Sequence, residues 1–286
     1  MKALENLIQL LTLKKINENT FQGESEDLGL LKVFGGQLMA QSLSAAMEVV
    51  ELERHLHSFH TYFLRAGDIH SPIIYETDIL REGVSFTAVS ILAKQNDEIL
   101  CRMIASFQLK EEGFEYQSPM PKVEEPAALY SENELIQSMA SYLPEHLKEK
   151  CQEERPFDAR IKYVNNPFKG VKLPPEQFVW VKVNGKVASA NQRLQQCLFT
   201  YFSDFHCLPT ALHPHKKGIM QQGMRFATLD HGIWFHRDID LNDWILYALE
   251  SNNSSGGRGL TRGQVFDQTG NLLATVQQEG MLRFSS

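Results

Sequence analysis

Apolar side chains recur at helical spacing in two separate stretches of the chain. After Gly35-Gly36, Met39, Leu43, Ala46 and Val50 fall at i, i+4, i+7 and i+11, with Gln37, Gln41, Ser44 and Glu48 between them. This spacing predicts an amphipathic helix with one buried stripe. Between Asn191 and Leu208 the apolar face is broader, formed by Leu194, Cys197, Leu198, Tyr201, Phe205 and Leu208, as in a helix largely enclosed by other structure. Extended segments follow each helix. They run from Tyr75 to Leu80, Phe86 to Ala93 and Ile99 to Gln108 in the first half, and from Thr228 to His236, Trp244 to Glu250, Thr261 to Asp267 and Leu272 to Leu282 in the second. Turns as short as Gln95–Asp97 and Gln268–Asn271 join such strands as antiparallel neighbours.

The two halves also resemble each other. Phe63, Arg65, Asp68, Ile73 and Tyr75 recur as Phe235, Arg237, Asp240, Ile245 and Tyr247, an offset of about 172 residues that signals internal duplication. Eight of the eleven prolines lie between residues 119 and 175, Pro144 among them, where they would interrupt a helix or a sheet ladder. That stretch reads as a connector. It holds one expected helix, because Ser131–Glu134 is a capping-box pattern followed by Leu135, Met139 and Leu143. The expectation is an α+β protein with residues 1–112 as a first unit, 113–176 as a proline-rich connector with a short helix, and 177–286 as a second unit. Each unit is a long helix held against a curved antiparallel sheet.

Composition narrows the partners. A chain of 286 residues with 43% hydrophobic and 22% charged residues folds around an ordinary core. A net charge of −7 argues against nucleic acid, whose phosphates call for an excess of Lys and Arg, and the one basic cluster, His213–Lys217, reads as a solvated loop. No run approaches the ~20 apolar residues of a membrane-spanning helix. The N-terminus carries Lys14-Lys15 after a short amphipathic segment in place of a signal peptide, which points to the cytoplasm. Cys101, Cys151, Cys197 and Cys207 show no paired spacing, as in reduced thiols that bind no metal.

Three polar residues attract notice. Asp204 lies seven positions after Cys197 and three after Tyr201, on the side of the helix that carries the apolar stripe. A carboxylate there is costly to bury, so it either makes polar contacts at the helix margin or performs chemistry with a shifted pKa. Gln278 interrupts the face formed by Leu272, Ala274, Val276, Gly280 and Leu282, where an amide bonds a neighbouring backbone group or orients a water. Thr228 opens a strand pattern and offers either a hydroxyl or simple strand propensity. Other chemistries lack their residues. His57 and His60, like His231 and His236, would project to opposite faces of a strand, and no Cys/His ligand set is present, so no metal is expected. Gly35-Gly36 and Gly256–Gly259 match no phosphate-loop pattern, and no G-x-S-x-G elbow supplies a serine nucleophile.

Five motifs in order carry a resemblance: Glu26–Gly29 (EDLG), Val33–Gln37 (VFGGQ), His57–Asp68 (HSFHTYFLRAGD), Ala227–Arg237 (ATLDHGIWFHR) and Val276–Gly280 (VQQEG). They closely resemble the bacterial acyl-CoA thioesterase II family, the double-hotdog thioesterases, over essentially the whole chain. The resemblance implies two tandem hotdogs and hydrolysis of medium- to long-chain fatty acyl-CoA thioesters without metal or organic cofactor. It also implies self-association into a dimer or tetramer, and catalytic roles for Asp204, Thr228 and Gln278. The N-terminal helix shows no Asp in its stripe, so one acidic site per chain is expected. Two other readings stay open at this point. One is a hotdog hydratase or dehydratase with Asp230 and His231 or His236 as acid and base; the other is a non-catalytic acyl-CoA-binding protein.

Overall fold

A computed structural model describes residues 2–29, 32–139, 143 and 145–285; Pro144 lies outside the described residues. The first half runs α1 (Lys2–Leu11), β1 (Lys14–Asn17), β2 (Thr20–Gly23), α2 (Gly35–Glu48), β3 (Arg54–Phe63), β4 (Ile73–Glu82), β5 (Phe86–Gln95) and β6 (Glu98–Leu109). The proline-rich stretch carries β7 (Tyr130–Ser131), α3 (Glu132–Met139), α4 (Glu145–Gln152) and β8 (Phe157–Ile161). The rest is β9 (Glu176–Val183), α5 (Gln192–Ser203), α6 (Cys207–Thr210), β10 (Met224–Phe235), β11 (Ile245–Ser255), β12 (Arg258–Asp267) and β13 (Leu272–Phe284).

All the strands belong to one antiparallel sheet in the order β1-β2-β4-β5-β6-β3-β10-β13-β12-β11-β9-β8-β7. Its midline is the β3–β10 pair, where Phe59 faces Ile233 and His60 faces Gly232. Each half of the sheet curves around one long helix: α2 packs on β4, β5 and β6 and also on α5. Burial is nearly complete, since Leu38, Met39, Leu43 and Ala46 on α2 and Leu198, Phe199 and Phe202 on α5 are all sealed from solvent. The duplicated tyrosines show the shared plan. Tyr75 and Tyr247 are both fully buried, and each hydroxyl reaches its own half's helix, Tyr75 donating to Gln41 Oε1 at 2.6 Å and Tyr247 to Ser203 O at 3.2 Å. This is the double hotdog expected from the sequence.

The helices are antiparallel neighbours, and their ends are tied differently. At one end Arg193, in the first turn of α5, donates to the carbonyls of Met47, Val50 and Glu51 just past the C-terminus of α2, a favourable place for a cation. At the other end the N-terminus of α2 meets the C-terminus of α5. Gly36 is required there, because a Cβ would stand 2.3 Å from the Tyr201 carbonyl oxygen.

Several sequence expectations need adjustment. The second helix stops at Ser203, short of Leu208. Pro209 fits only in a first helical turn, so a new short helix begins at Cys207 and Asp204 becomes the C-cap residue in the break. Among the described residues the proline-rich stretch carries two α-helices, α3 and α4, where one helix was expected, and its strands β7 and β8 extend the sheet. His213, expected on a solvated loop, is buried and bonds the carbonyls of Pro174 and Glu176. Gly256 and Gly257 have φ of 58° and 73°, the conformation of a tight hairpin turn between β11 and β12.

Candidate active site

Asp204 leaves the end of α5 and points at the first turn of α2. Its carboxylate accepts hydrogen bonds from the Gly36 backbone N–H, the Gln278 side-chain amide and the Thr228 hydroxyl. Gln278 Nε2 donates to Asp204 Oδ1 at 2.9 Å and to Thr228 Oγ1 at 2.6 Å, closing a triangle of the three side chains singled out in the sequence. Gly35 lies against the same group, since a Cβ there would be 2.6 Å from Asp204 Oδ2.

Two opposing effects act on that carboxylate. Three donors and the helix N-terminus favour the anion, whereas removal from water favours the acid. Burial wins. The Asp204 pKa is pushed up from 3.8 to about 6, leaving the group able to take a proton near neutrality.

Thr228 reaches the site through a local irregularity. Counting by two from His231, which faces inward, would send Thr228 outward. The β10–β13 register shifts between Thr228 and Asp230, so Leu229 is an extra residue that turns Thr228 back to the inner face. Gln278 lies directly opposite His231 and is 1% exposed.

His231 joins the site although the sequence offered it only as a structural histidine or as an acid–base residue of the hydratase alternative. Its Nδ1 is 3.2 Å from Gln278 Oε1 and its Nε2 is 3.1 Å from Ser203 Oγ. Burial drives its pKa down to about 4, so the ring is neutral. The Gln278 oxygen can only accept, so the ring proton lies on Nδ1; Nε2 is then an acceptor that competes with the Thr200 carbonyl, 2.8 Å from Ser203 Oγ, for the single Ser203 hydroxyl proton. No sequence spacing signals this contact, which depends on strand register.

The alternative acid–base residues are not assembled. Asp230 sits across the sheet from His231 and pairs with His60 at 3.4 Å, while His236 bonds Thr275 Oγ1 at 2.9 Å. Among the described residues no three His, Cys, Asp or Glu side chains gather as a metal-binding group.

With this geometry in view, comparison with known proteins is decisive. An acyl-CoA thioesterase family model matches residues 146–281, and a model of the acyl-CoA thioesterase N-terminal domain matches residues 24–108. The chain is 56% identical to acyl-CoA thioesterase 2 of Haemophilus influenzae, over 99% of this chain and 98% of that protein. It belongs to the acyl-CoA thioesterase II family. Human acyl-coenzyme A thioesterase 8 is 34% identical over 96% of this chain and 88% of its own. The crystal structure of an acyl-CoA thioesterase II from Mycobacterium marinum superposes with a TM-score of 0.79 at 30% identity, covering 99% of both chains.

This thioesterase also holds a cavity of about 360 Å³ that includes Phe205, the residue after Asp204, in its lining. Its lining is mixed: Leu7, Leu28, Phe157 and Phe202 are joined by the charged Glu132 and Arg155, and Tyr201 donates to the Glu26 carboxylate at 2.9 Å. Phe34 stacks on Phe205 at 4.3 Å, joining the first turn of α2 to the cavity wall. No helix among the described residues is long and apolar enough to cross a membrane.

Proposed function

We propose that this enzyme hydrolyses medium- to long-chain fatty acyl-CoA thioesters, with Asp204, Thr228 and Gln278 as its catalytic residues. The reading is carried by one observation: a carboxylate of raised pKa, held by a hydroxyl and an amide, stands against the N-terminus of α2. Asp204 removes a proton from water as the water oxygen attacks the thioester carbonyl. Thr228 and Gln278 fix that water's position, and the positive end of α2 steadies the carbonyl oxygen as it gains charge. When the C–S bond breaks, the proton passes to the departing sulfur, leaving a free fatty acid and CoA.

The cavity lined by Phe205 accommodates the acyl chain in this scheme, its volume falling within the range of small-ligand sites. Residues 1–112 and 177–286 act as the two hotdog units around the connector 113–176, and the catalytic residues belong to the second. The chain works in the cytoplasm as a dimer or tetramer.

Free-thiol release from a panel of acyl-CoAs of increasing length, with wild type and a folded Asp204→Asn variant, tests the assignment. Release by the wild type alone is expected. Equal rates for the two proteins remove Asp204 from the mechanism, and no release on any chain length removes the function.

A further inference from the structure

The strands that deliver Thr228 and Gln278 continue past the site, β10 back to Met224 and β13 on to Phe284. Cross-strand register puts Arg225 directly opposite Arg283, and Met281, on the same face as Arg283, directly opposite Arg258 of β12. Three arginines therefore share one face of this extension. Like charges directly opposite each other destabilise an antiparallel pair. Arg225 and Arg283 are exposed and have no ion-pair partner among the described residues; Arg258 has Glu279 at 3.1 Å. The other face, continuous with Gln278 and Thr228, carries Phe226 and Phe284, which are 42% and 41% exposed, and Leu282 between strands. Lys217 adds a fourth cation at the tip, its ammonium 3.4 Å over the Phe284 ring.

In a chain of net charge −7, a basic edge on which Arg225 and Arg283 lack a counter-charge among the described residues, with an exposed apolar strip on the other face, calls for an anionic ligand with an extended arm. We propose that Arg225, Arg258 and Arg283 bind the phosphate groups of the substrate's coenzyme A moiety. The pantetheine arm then crosses the edge of β10 that β3 leaves unpaired ahead of Asp230, and reaches Thr228 on the other face beside Phe226. Arg225 is three strand residues from Thr228, about 10 Å, a span the arm covers. Guanidinium groups suit phosphate because their paired N–H donors match its oxygens. The inference rests on the thioesterase reading for the identity of the ligand.

The test compares one acyl group carried on CoA and on pantetheine, using wild type, Arg225→Gln, and the triple variant Arg225→Gln/Arg258→Gln/Arg283→Gln. The triple variant should raise KM for acyl-CoA about tenfold or more, with Arg225→Gln intermediate. Its kcat, and its KM for acyl-pantetheine, should stay unchanged. Added salt should raise the wild-type KM for acyl-CoA and leave that of the triple variant nearly flat. An equal rise on both thioesters, or none on either, overturns the site.

Calorimetry with CoA itself needs no turnover. The triple variant should bind about tenfold more weakly than wild type. Equal affinities, or no CoA binding by wild type, overturn the site even if acyl-CoA is hydrolysed. Loss of CoA affinity in a protein that hydrolyses no thioester keeps the phosphate site and removes the thioesterase reading.

Discussion

His231 Nδ1 lies 3.2 Å from Gln278 Oε1, and this contact determines which end of the amide meets Asp204. With the Gln278 oxygen held by the ring, its nitrogen is left to donate to Asp204 and Thr228. Replacing His231 by Leu removes the donor and frees the amide to turn. We expect a fall in kcat of about 10²-fold with little change in KM. An Asn at this position places an amide N–H near that of the ring and should recover part of the rate. Equal rates for His231→Leu and His231→Asn, measured by thiol release, would deny His231 a positioning role.

The pH dependence follows from the same pair. Catalysis needs the ionised form of Asp204, whose pKa is about 6, while His231 at about 4 stays neutral above it. The rate at low substrate should therefore rise roughly tenfold per pH unit below pH ~6 and level off above it. An inflection near pH 4 would instead implicate His231, and a flat profile between pH 5 and 8 would remove Asp204 as the base.

Stability should respond with the opposite sign. Because burial raises the Asp204 pKa from 3.8 to about 6, the folded chain holds that proton more tightly than the unfolded chain does. This contribution is fully present below pH ~4 and is lost as pH rises through ~6, a change of about 3 kcal/mol. Asp204→Asn stays neutral throughout, though its amide leaves one donor facing another, at a cost of about 1 kcal/mol. At pH 8 the variant should lose about 10²–10⁴-fold in rate yet melt a few degrees above wild type. That thermal advantage should disappear at pH 4. A variant that melts lower at pH 8 would show that the carboxylate's hydrogen bonds outweigh its burial.

Much of this site was legible along the chain, for a physical reason. Asp204 and Gln278 interrupt apolar faces, and periodicity exposes such interruptions because helix and strand periods are fixed. Thr228 was visible only as a hydroxyl at a strand start, since its inward direction depends on the bulge at Leu229. His231 looked structural because its two partners come from a distant strand and from the end of α5. The broad stripe of α5 continued in register past its true end, hiding the break that Pro209 imposes. The duplicated Tyr75 and Tyr247 announced the repeated fold, whereas β3, whose pairing with β10 joins the halves, has no simple alternation to mark it.

The two glycines that open α2 separate fold from chemistry. A methyl group on Gly36 would stand 2.3 Å from the Tyr201 carbonyl, a backbone atom of a buried helix that cannot turn aside. Gly36→Ala must push α2 and α5 apart, so a loss of roughly 2–4 kcal/mol is expected. A methyl on Gly35 instead meets Asp204 Oδ2 at 2.6 Å and the Phe63 ring at 3.4 Å, both side-chain atoms. The carboxylate can rotate away, and alanine gains up to about 1 kcal/mol over glycine in a helix. Gly35→Ala should therefore melt near the wild-type temperature while losing about 10²-fold in kcat, because the displaced oxygen no longer holds its water on line. Thermal melts and thiol release on both variants check the contrast. Wild-type activity in a stable Gly35→Ala protein would mean that the carboxylate position against α2 is not the one used in catalysis.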